Sequence, residues 1–152
     1  MREKHLIVVG CQEEKLNQID KKTKARILDY INGNGHEYKS VISVIRRPMT
    51  GDANFRASQN TMSHEDIYLD YESDLTIEVP GYDVDTKQFR RDCEYDIIGI
   101  STAASVLCIA MSLYSAGMKI NVLSKYCADR KGKYLEEYAY GIMQAYMPGC
   151  VK

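Results

Sequence analysis

Three arginines are the first candidates for chemistry in this sequence, because they could recognise an anion. Arg46, Arg47 and Arg56 fall within residues 46–62 (RRPMTGDANFRASQNTM), where turn-forming residues predict a long loop. An arginine guanidinium donates hydrogen bonds in a planar fork that fits a carboxylate or a phosphate. The same arginines could equally be solvated surface residues, so both interpretations stay open.

A second candidate is the turn between residues 96–101 (DIIGIS) and the apolar residues 104–116. The first segment predicts a strand and the second a helix. Such a turn leaves backbone N–H groups free at the start of the helix, where anions bind. Ser101, Thr102 and Ser105 add hydroxyl groups that could contact a ligand or simply cap the helix.

The cysteines could supply a nucleophile or a metal ligand. Their spacing contains no CxxC pair and no Cys/His pattern typical of zinc sites. An odd number of cysteines favours reduced thiols and a cytoplasmic location. Each could also pack as a small apolar residue. The five are Cys11, Cys93, Cys108, Cys127 and Cys150.

The three histidines do not predict a metal site either. His5 precedes a predicted strand, His36 follows a predicted helix, and His64 lies in SHED beside two acidic residues. A solvated loop histidine is the ordinary interpretation of His64. We therefore expect no metal and no other cofactor.

The elements that must position these groups alternate along the chain. Short apolar or β-branched segments predict strands at residues 5–9, 39–45, 74–79, 96–101 and 118–124. Helical spacing and glycine stop signals predict helices at residues 22–32, 84–93 (short), 104–116 and 131–147. The last helix places Leu135, Tyr138, Ile142 and Ala145 on one face.

This alternation predicts an α/β fold with three α/β/α layers and a mostly parallel, Rossmann-like sheet, in one domain spanning residues 1–152. In such sheets, ligands bind beyond the carboxyl ends of the strands. The residues expected at that edge are 10–12, 46–47, 79–82, 101–105 and 124–129.

The composition excludes several classes of function. A formal net charge of −1 gives no field that would attract nucleic acid or an anionic membrane. The longest apolar stretches are interrupted within about 10 residues, whereas a membrane-spanning helix needs about 20. The start, MREKHLIVVG, has too short an apolar run for a signal peptide. A cytoplasmic protein with no nucleic-acid or membrane partner is expected.

Four segments in order resemble the isochorismatase-like cysteine hydrolases, a superfamily that includes the nicotinamidases. The resemblance covers nearly the whole chain except residues 46–70. It implies the three-layer fold predicted above. The segments are HLIVVGCQ, VPGYDVDTKQF, IIGISTAASVLCIAMSLYSAGMKINVL and KYCADRKGKYLEEYAYGIMQAYMPGCV.

The resemblance also implies where a catalytic triad of Asp, Lys and Cys would lie, and this sequence departs from it at all three positions. Gly10 stands at the aspartate position that closes the first strand. Val79 stands at the lysine position, three residues before Tyr82. Ser105 stands at the cysteine position, with Ala103 in place of the preceding aspartate. Active members need a thiolate with a base beside it, and glycine and valine carry no proton.

These departures predict a catalytically inactive member that binds or sequesters a small anionic, nucleotide-derived metabolite. Ser101, Thr102, Ser105, the three loop arginines and Tyr82, which could stack on a ring, are the expected ligand contacts. Two alternatives stay open. One is an amidase-type hydrolase with a rearranged nucleophile at Cys11 or Cys108, and the other is a scaffold with a vestigial pocket.

The high number of tyrosines leads us to expect that the protein self-associates. The chain has twelve tyrosines and no tryptophan. Tyrosine is common at interfaces because it combines apolar area with a polar tip. The family resemblance also implies a homo-oligomer, although core packing could account for the same residues. Those on the last predicted helix are Tyr134, Tyr138, Tyr140 and Tyr146.

Overall fold

Five parallel strands form one sheet in a computed structural model that describes residues 2–47 and 68–152. The sheet order is β3-β2-β1-β4-β5. The predicted α/β class with a parallel sheet is confirmed. The strands are β1 (Lys4–Val9), β2 (Ser40–Arg46), β3 (Leu75–Val79), β4 (Glu94–Ile100) and β5 (Lys119–Ala128).

Helices cover both faces of the sheet. The side chain of Asp20 accepts a hydrogen bond from the backbone N–H of Thr23 at 2.8 Å and caps the second helix. A π-helical turn at Thr102–Val106 leads into the third. The helices are α1 (Glu13–Leu16), α2 (Lys21–Asn34), α3 (Leu107–Ser115) and α4 (Lys133–Tyr146).

Alternating residues of β1 explain the three layers. Ile7 and Val9 lie in one apolar cluster with residues of α3 and α4, and Leu6 and Val8 lie in a second with residues of α2. Successive side chains of a strand point to opposite faces, so a strand covered on both sides must be apolar throughout. Burying each such side chain contributes about 1.5–3 kcal/mol.

The end of β5 brings two charged residues to the carboxyl edge of the sheet. The sequence predicted a strand over residues 118–124, but β5 continues to Ala128. A register shift between Ile97 and Gly99 of β4 lets the strand resume pairing as Gly99 with Cys127 and Ile100 with Ala128. Asp129 and Arg130 therefore follow directly at the edge where ligands are expected.

The predicted helix over residues 84–93 is wrong in extent. Only a single 3-10 turn forms, at Thr86–Gln88. The side chain of Asp85 accepts a hydrogen bond from the backbone N–H of Lys87 at 3.0 Å, which closes the turn locally. Phe89 is then extended and packs its ring edge-on against Tyr95. The chain therefore leaves the helical conformation at Phe89, where the ring is buried.

The apolar face predicted for the last helix is not the face that packs on the sheet. Helix α4 buries Ala139 and Met143, which lie in the same cluster as β4 and β5. Tyr138 is 69% exposed and Ile142 is 39% exposed. Ala139 and Met143 form a narrow stripe of small and flexible side chains, which lets the helix approach the sheet closely. The predicted stripe is left on the outside.

Candidate functional site

The carboxyl ends of β1, β2, β4 and β5 meet at one edge of the sheet, as the fold predicts. The backbone N–H of Gly10 donates to the carbonyl of Val44 in β2 at 2.8 Å. On its other side, Gly10 abuts the carbonyl of Ile100 in β4. Arg130, after β5, donates from Nε to Oγ of Ser101 at 3.3 Å. We call this region the ligand edge.

Gly10 has no room for the aspartate that the family resemblance implies at this position. Its φ is +62°, in the region that favours glycine. A Cβ atom built there would overlap the carbonyl oxygen of Ile100. The backbone at this position is therefore shaped for a residue without a side chain.

The other two positions that the resemblance assigns to the triad carry no lysine and no thiol. Val79 is buried in the apolar cluster under β3. Ser105 is 7% exposed and lies in the π-helical turn. Within residues 2–47 and 68–152, no histidine, aspartate or lysine side chain hydrogen-bonds its hydroxyl group. A serine hydroxyl without a base is a poor nucleophile.

Neither alternative cysteine has the environment of a reactive thiolate. Cys11 is fully buried, its Sγ donates to the carbonyl of Val9 at 3.6 Å, and burial raises its pKa far above the ordinary value. Burial and the carboxylate of Asp83 also raise the pKa of Cys108. Reactive cysteines need the opposite shift. The structure therefore argues against a rearranged nucleophile at either position.

Lys15 is a site residue that the sequence analysis missed. It is only 9% exposed, and its Nζ lies 3.6 Å from the point where a Cβ of Gly10 would be. Burial, Arg130 and Arg46 lower its pKa to about 8, so a substantial part of its charge is retained at neutral pH. Its sequence signal is weak, because a lysine in EEKL is typical of a solvated helix. Only its position five residues after Gly10 marks it.

A buried amide accompanies this lysine. Gln12 is 2% exposed, and its Oε1 has no hydrogen-bond partner in the part of the chain that the structure describes. Buried polar atoms without a partner are rare and carry a cost of about 1–3 kcal/mol. Gln12 follows β1 at the same edge, so a bound molecule with a donor group would satisfy it.

Two of the three arginines singled out in the sequence lie in the described ranges, and they differ in their contacts. Arg46 lies 4.6 Å above the ring of Tyr82, and its buried Nε has no hydrogen-bond partner within the described ranges. Arg47 donates to a carboxylate oxygen of Glu78 at 2.9 Å. Arg56 lies outside the described residues. The structure thus places Arg46 and Tyr82 together, as candidate ligand contacts at the end of β2.

The turn after β4 is only partly available to a ligand. The backbone N–H of Ala103 donates to Oδ2 of Asp129 at 2.9 Å, so one of the donors expected to be free is occupied. Ser101 accepts from Arg130, and Thr102 is fully buried. Arg130 also donates to the amide oxygen of Gln18 at 3.1 Å. Arg130 is a second site residue that sequence reasoning did not identify.

Lys15, Arg46 and Arg130 form a cationic cluster at the ligand edge. Arg46 and Arg130 are both close enough to lower the pKa of Lys15. Across residues 2–47 and 68–152, none of the three forms an ion pair with a carboxylate. Cations held together without a counter-ion favour binding of an anion.

The clefts in the described part of the chain include one at the ligand edge and one at the opposite edge of the sheet. One, of about 710 Å³, opens beside Arg130 and Asp129 and reaches Asp20 and Glu136. The other, of about 670 Å³, is lined by Ile31, His36 and Tyr71 near the opposite edge of the sheet. Only the first adjoins the cationic cluster, so we take it as the entrance to the candidate site.

Comparison with solved structures identifies the fold. The chain superposes on the zinc-bound pyrazinamidase of Pyrococcus horikoshii with a TM-score of 0.78 and 16% identity, over 99% of this chain and 97% of that one. The chain has the isochorismatase-like fold. The nicotinamidase of Staphylococcus aureus matches over 100% of both chains, with a TM-score of 0.67 and 17% identity. The MAR1 ribonuclease of Caenorhabditis elegans matches with a TM-score of 0.68 and 16% identity, over 99% of this chain and 76% of that one.

Identities of 16–17% show that the chain shares the isochorismatase-like fold. They do not assign to it the activity of any of these proteins. No protein-family model and no curated protein matches the sequence. The predicted resemblance is confirmed as a resemblance of fold. Within the described ranges, no helix is long and apolar enough to cross a membrane.

Proposed function

We propose that this protein is a non-catalytic binding protein with an isochorismatase-like fold, which holds a small anionic metabolite at the ligand edge. The observation that carries this proposal is the cationic cluster of Lys15, Arg46 and Arg130, which has no carboxylate partner within the described ranges. A phosphate or carboxylate would supply the missing negative charge. A nucleotide-derived ligand is the first class to test, since Tyr82 beside Arg46 offers a ring for stacking.

The same geometry supports binding without turnover. Gly10, Val79 and Ser105 supply neither an acid, a lysine nor a thiol at the triad positions. Burial raises the thiol pKa of both Cys11 and Cys108. The five free cysteines are also what a cytoplasmic location would give, and we include that location in the proposal.

Native mass spectrometry of the purified protein tests the proposal most directly. We expect a retained non-covalent mass, or binding of added AMP or pyrophosphate, with no chemical change of the added compound. Retention of a neutral apolar molecule instead would contradict the anionic assignment. A protein that binds neither probe and retains nothing would favour the scaffold alternative.

Removal of one cation of the cluster should weaken AMP binding by about 10-fold to 100-fold, because a charge-assisted hydrogen bond is worth about 1.5–3 kcal/mol. Calorimetry on Arg46→Ala and Arg130→Ala measures this. Arg46→Lys should recover only part of the loss, since lysine lacks the planar fork. Arg47→Ala should have a smaller effect because Glu78 already pairs with Arg47. Arg56→Ala tests the third arginine that the sequence analysis named as a candidate ligand contact.

The exposed Arg91 provides the matched control for these variants. Arg91→Ala removes one positive charge at a distance from the ligand edge and should leave the affinity unchanged. If Arg46→Ala and Arg130→Ala also bind like the parent protein, the cationic cluster is ordinary surface and the proposal fails.

Affinity for AMP should fall as pH rises from about 7 to about 9, because Lys15 loses its proton near pH 8. A neutral contact is worth about 1 kcal/mol less than a charged one, which predicts a decrease of about 5-fold. The phosphate of AMP is already ionised above pH 7 and contributes little. In Lys15→Met the dependence should disappear, whereas the exposed Lys22→Met variant should retain it. An unchanged pH profile in Lys15→Met would remove Lys15 from the site.

We also propose that the chain forms a homo-oligomer through the outer face of α4. Tyr134, Tyr138 and Tyr146 are 60%, 69% and 72% exposed on this face, beside Ile142. A shallow cleft of about 550 Å³ lies among them. Large exposed apolar patches of this kind mark interfaces.

Substitution Tyr138→Glu should shift the protein to monomers, because it buries a charge in the proposed interface. Light scattering after size exclusion measures the mass. The exposed Asp29→Asn variant, on α2, should keep the oligomer. A parent protein that is monomeric at all tested concentrations would contradict this proposal and leave the binding proposal intact.

A further inference from the structure

A cluster of three metal-ligand types lies at the amino edge of the sheet, opposite the ligand edge. Glu3, His5 and Cys93 bring their ligand atoms within 4.8 Å of one another. Glu3 immediately precedes β1, His5 lies near the start of β1, and Cys93 immediately precedes β4. The cluster is independent of the cationic site and of the proposed function.

The pairing of β1 and β4 explains why these residues meet. His5 is opposite Tyr95 in the parallel register, and the backbone N–H of Glu94 donates to the carbonyl of Glu3 at 2.8 Å. Side chains two apart on a strand share a face. His5 and Tyr95 therefore lie on the same side of the sheet, and Glu3 and Cys93, each just before its strand, lie beside them, although about 90 residues of chain separate the two strands.

The imidazole of His5 is already oriented as a metal ligand. Its Nδ1 is hydrogen-bonded to Oγ of Ser40 at 2.7 Å, and its ring stacks on Tyr95. Its Nε2 faces a carboxylate oxygen of Glu3 at 3.8 Å. When Nδ1 donates to Ser40, Nε2 keeps its lone pair for a cation. A second hydrogen bond of this kind is the usual partner of a metal-bound histidine.

We propose that Glu3, His5 and Cys93 form a binding site for a zinc-type divalent cation. Thiolate, imidazole and carboxylate are the ligands that Zn²⁺ prefers, with metal–ligand distances of about 2.0–2.3 Å. Ligand atoms around a tetrahedral ion are then about 3.3–3.8 Å apart, so the cluster needs only small side-chain movements. Asp92, whose Oδ1 accepts from the thiol of Cys93 at 3.7 Å, or a water would be the fourth ligand.

Positively charged side chains lie beside the cluster, and a bound cation would have to displace them. Arg90 pairs with Glu3 at 3.8 Å and also with Asp92, and Lys39 acts on His5 from the neighbouring segment. Arg90 is exposed, so its guanidinium can turn away. Burial raises the pKa of the Cys93 thiol, so the ion must also displace the thiol proton.

Cobalt(II) titration of the purified, metal-stripped protein under reducing conditions provides the first test. A thiolate-to-cobalt charge-transfer band in the near ultraviolet is expected, and Zn²⁺ should abolish it. The band should be lost in Cys93→Ser and retained in Cys150→Ser, a control at a second buried thiol. No band in the parent protein, or a band that survives in Cys93→Ser, overturns the proposal.

Competition of Zn²⁺ with a chromophoric chelator provides the second test. Glu3→Gln and Ser40→Ala should each weaken Zn²⁺ binding by at least about 10-fold. Glu3 is half-exposed, so its variant should fold like the parent protein. The exposed His36→Gln variant removes a histidine far from the cluster and should bind normally. Equal affinities across these variants would also overturn the assignment.

Discussion

The purified protein is expected to hydrolyse none of nicotinamide, isochorismate and N-carbamoyl amides. Its kcat/KM for nicotinamide should be at least about 10⁴-fold below that of an active nicotinamidase, since loss of a catalytic nucleophile or base costs orders of magnitude. Gly10, Val79 and Ser105 stand at the positions that the family resemblance assigns to the triad, and burial raises the pKa of the Cys11 thiol. Ammonia release measures hydrolysis of the amide substrates, with the Staphylococcus aureus nicotinamidase as positive control.

Restoring the thiol alone should not rescue activity. The hydroxyl of Ser105 has no acid or base as a hydrogen-bond partner in the described ranges, so Ser105→Cys should keep a thiol pKa near the ordinary value of about 8.5. Iodoacetamide labelling against pH tests this. Rapid labelling near pH 6 together with turnover would reveal a base that the geometry does not show. Turnover by the parent protein that is lost in Cys11→Ser would instead support the rearranged nucleophile.

Substitution of Gly10 by aspartate is expected to destabilise the fold by about 2–4 kcal/mol rather than restore an acid. The left-handed φ of +62° is unfavourable for a residue with a side chain. The new Cβ would overlap the backbone carbonyl of Ile100, which cannot move without disturbing β4. Urea unfolding followed by circular dichroism measures the loss of free energy of unfolding.

The matched control is Gly141→Ala on α4, where a Cβ would meet nothing within 4 Å. This change should stabilise the protein by about 0.5–1 kcal/mol, because alanine is the better helix former. If Gly10→Asp instead unfolds like the parent protein, the backbone at the ligand edge can relax. The missing acid would then be a matter of sequence alone, and a restored triad would be worth building.

The fold of this protein is similar to that of known hydrolases, but the residues at its ligand edge favour binding rather than catalysis. The sheet and helices share the fold of solved structures at identities of 16–17%. At that edge, the acid position is closed by backbone contact. Lys15, Arg46 and Arg130 supply positive charge there. We expect such an edge to hold an anion without transforming it.

Much of the architecture could be predicted because it depends on local pattern. The apolar run of β1 and the β-branched run of β2 are short-range signals, and a sheet covered on both faces follows from them. Elements that depend on tertiary contacts were predicted less well. Residues 84–93 lack a helix because the ring of Phe89 is buried against Tyr95, and α4 turns Ala139 rather than Tyr138 inward.

The sequence by itself predicted the α/β class and the edge of the sheet where ligands are expected, because both follow from local patterns. The family resemblance further implied that Gly10, Val79 and Ser105 stand at the triad positions. Only the tertiary structure decided that Lys15 is buried beside Gly10, that Arg130 joins Arg46, and that Glu3, His5 and Cys93 form one cluster. These residues come from separate parts of the chain. Strand register and the burial of neighbouring groups bring them together, and neither is encoded in the spacing of the residues themselves.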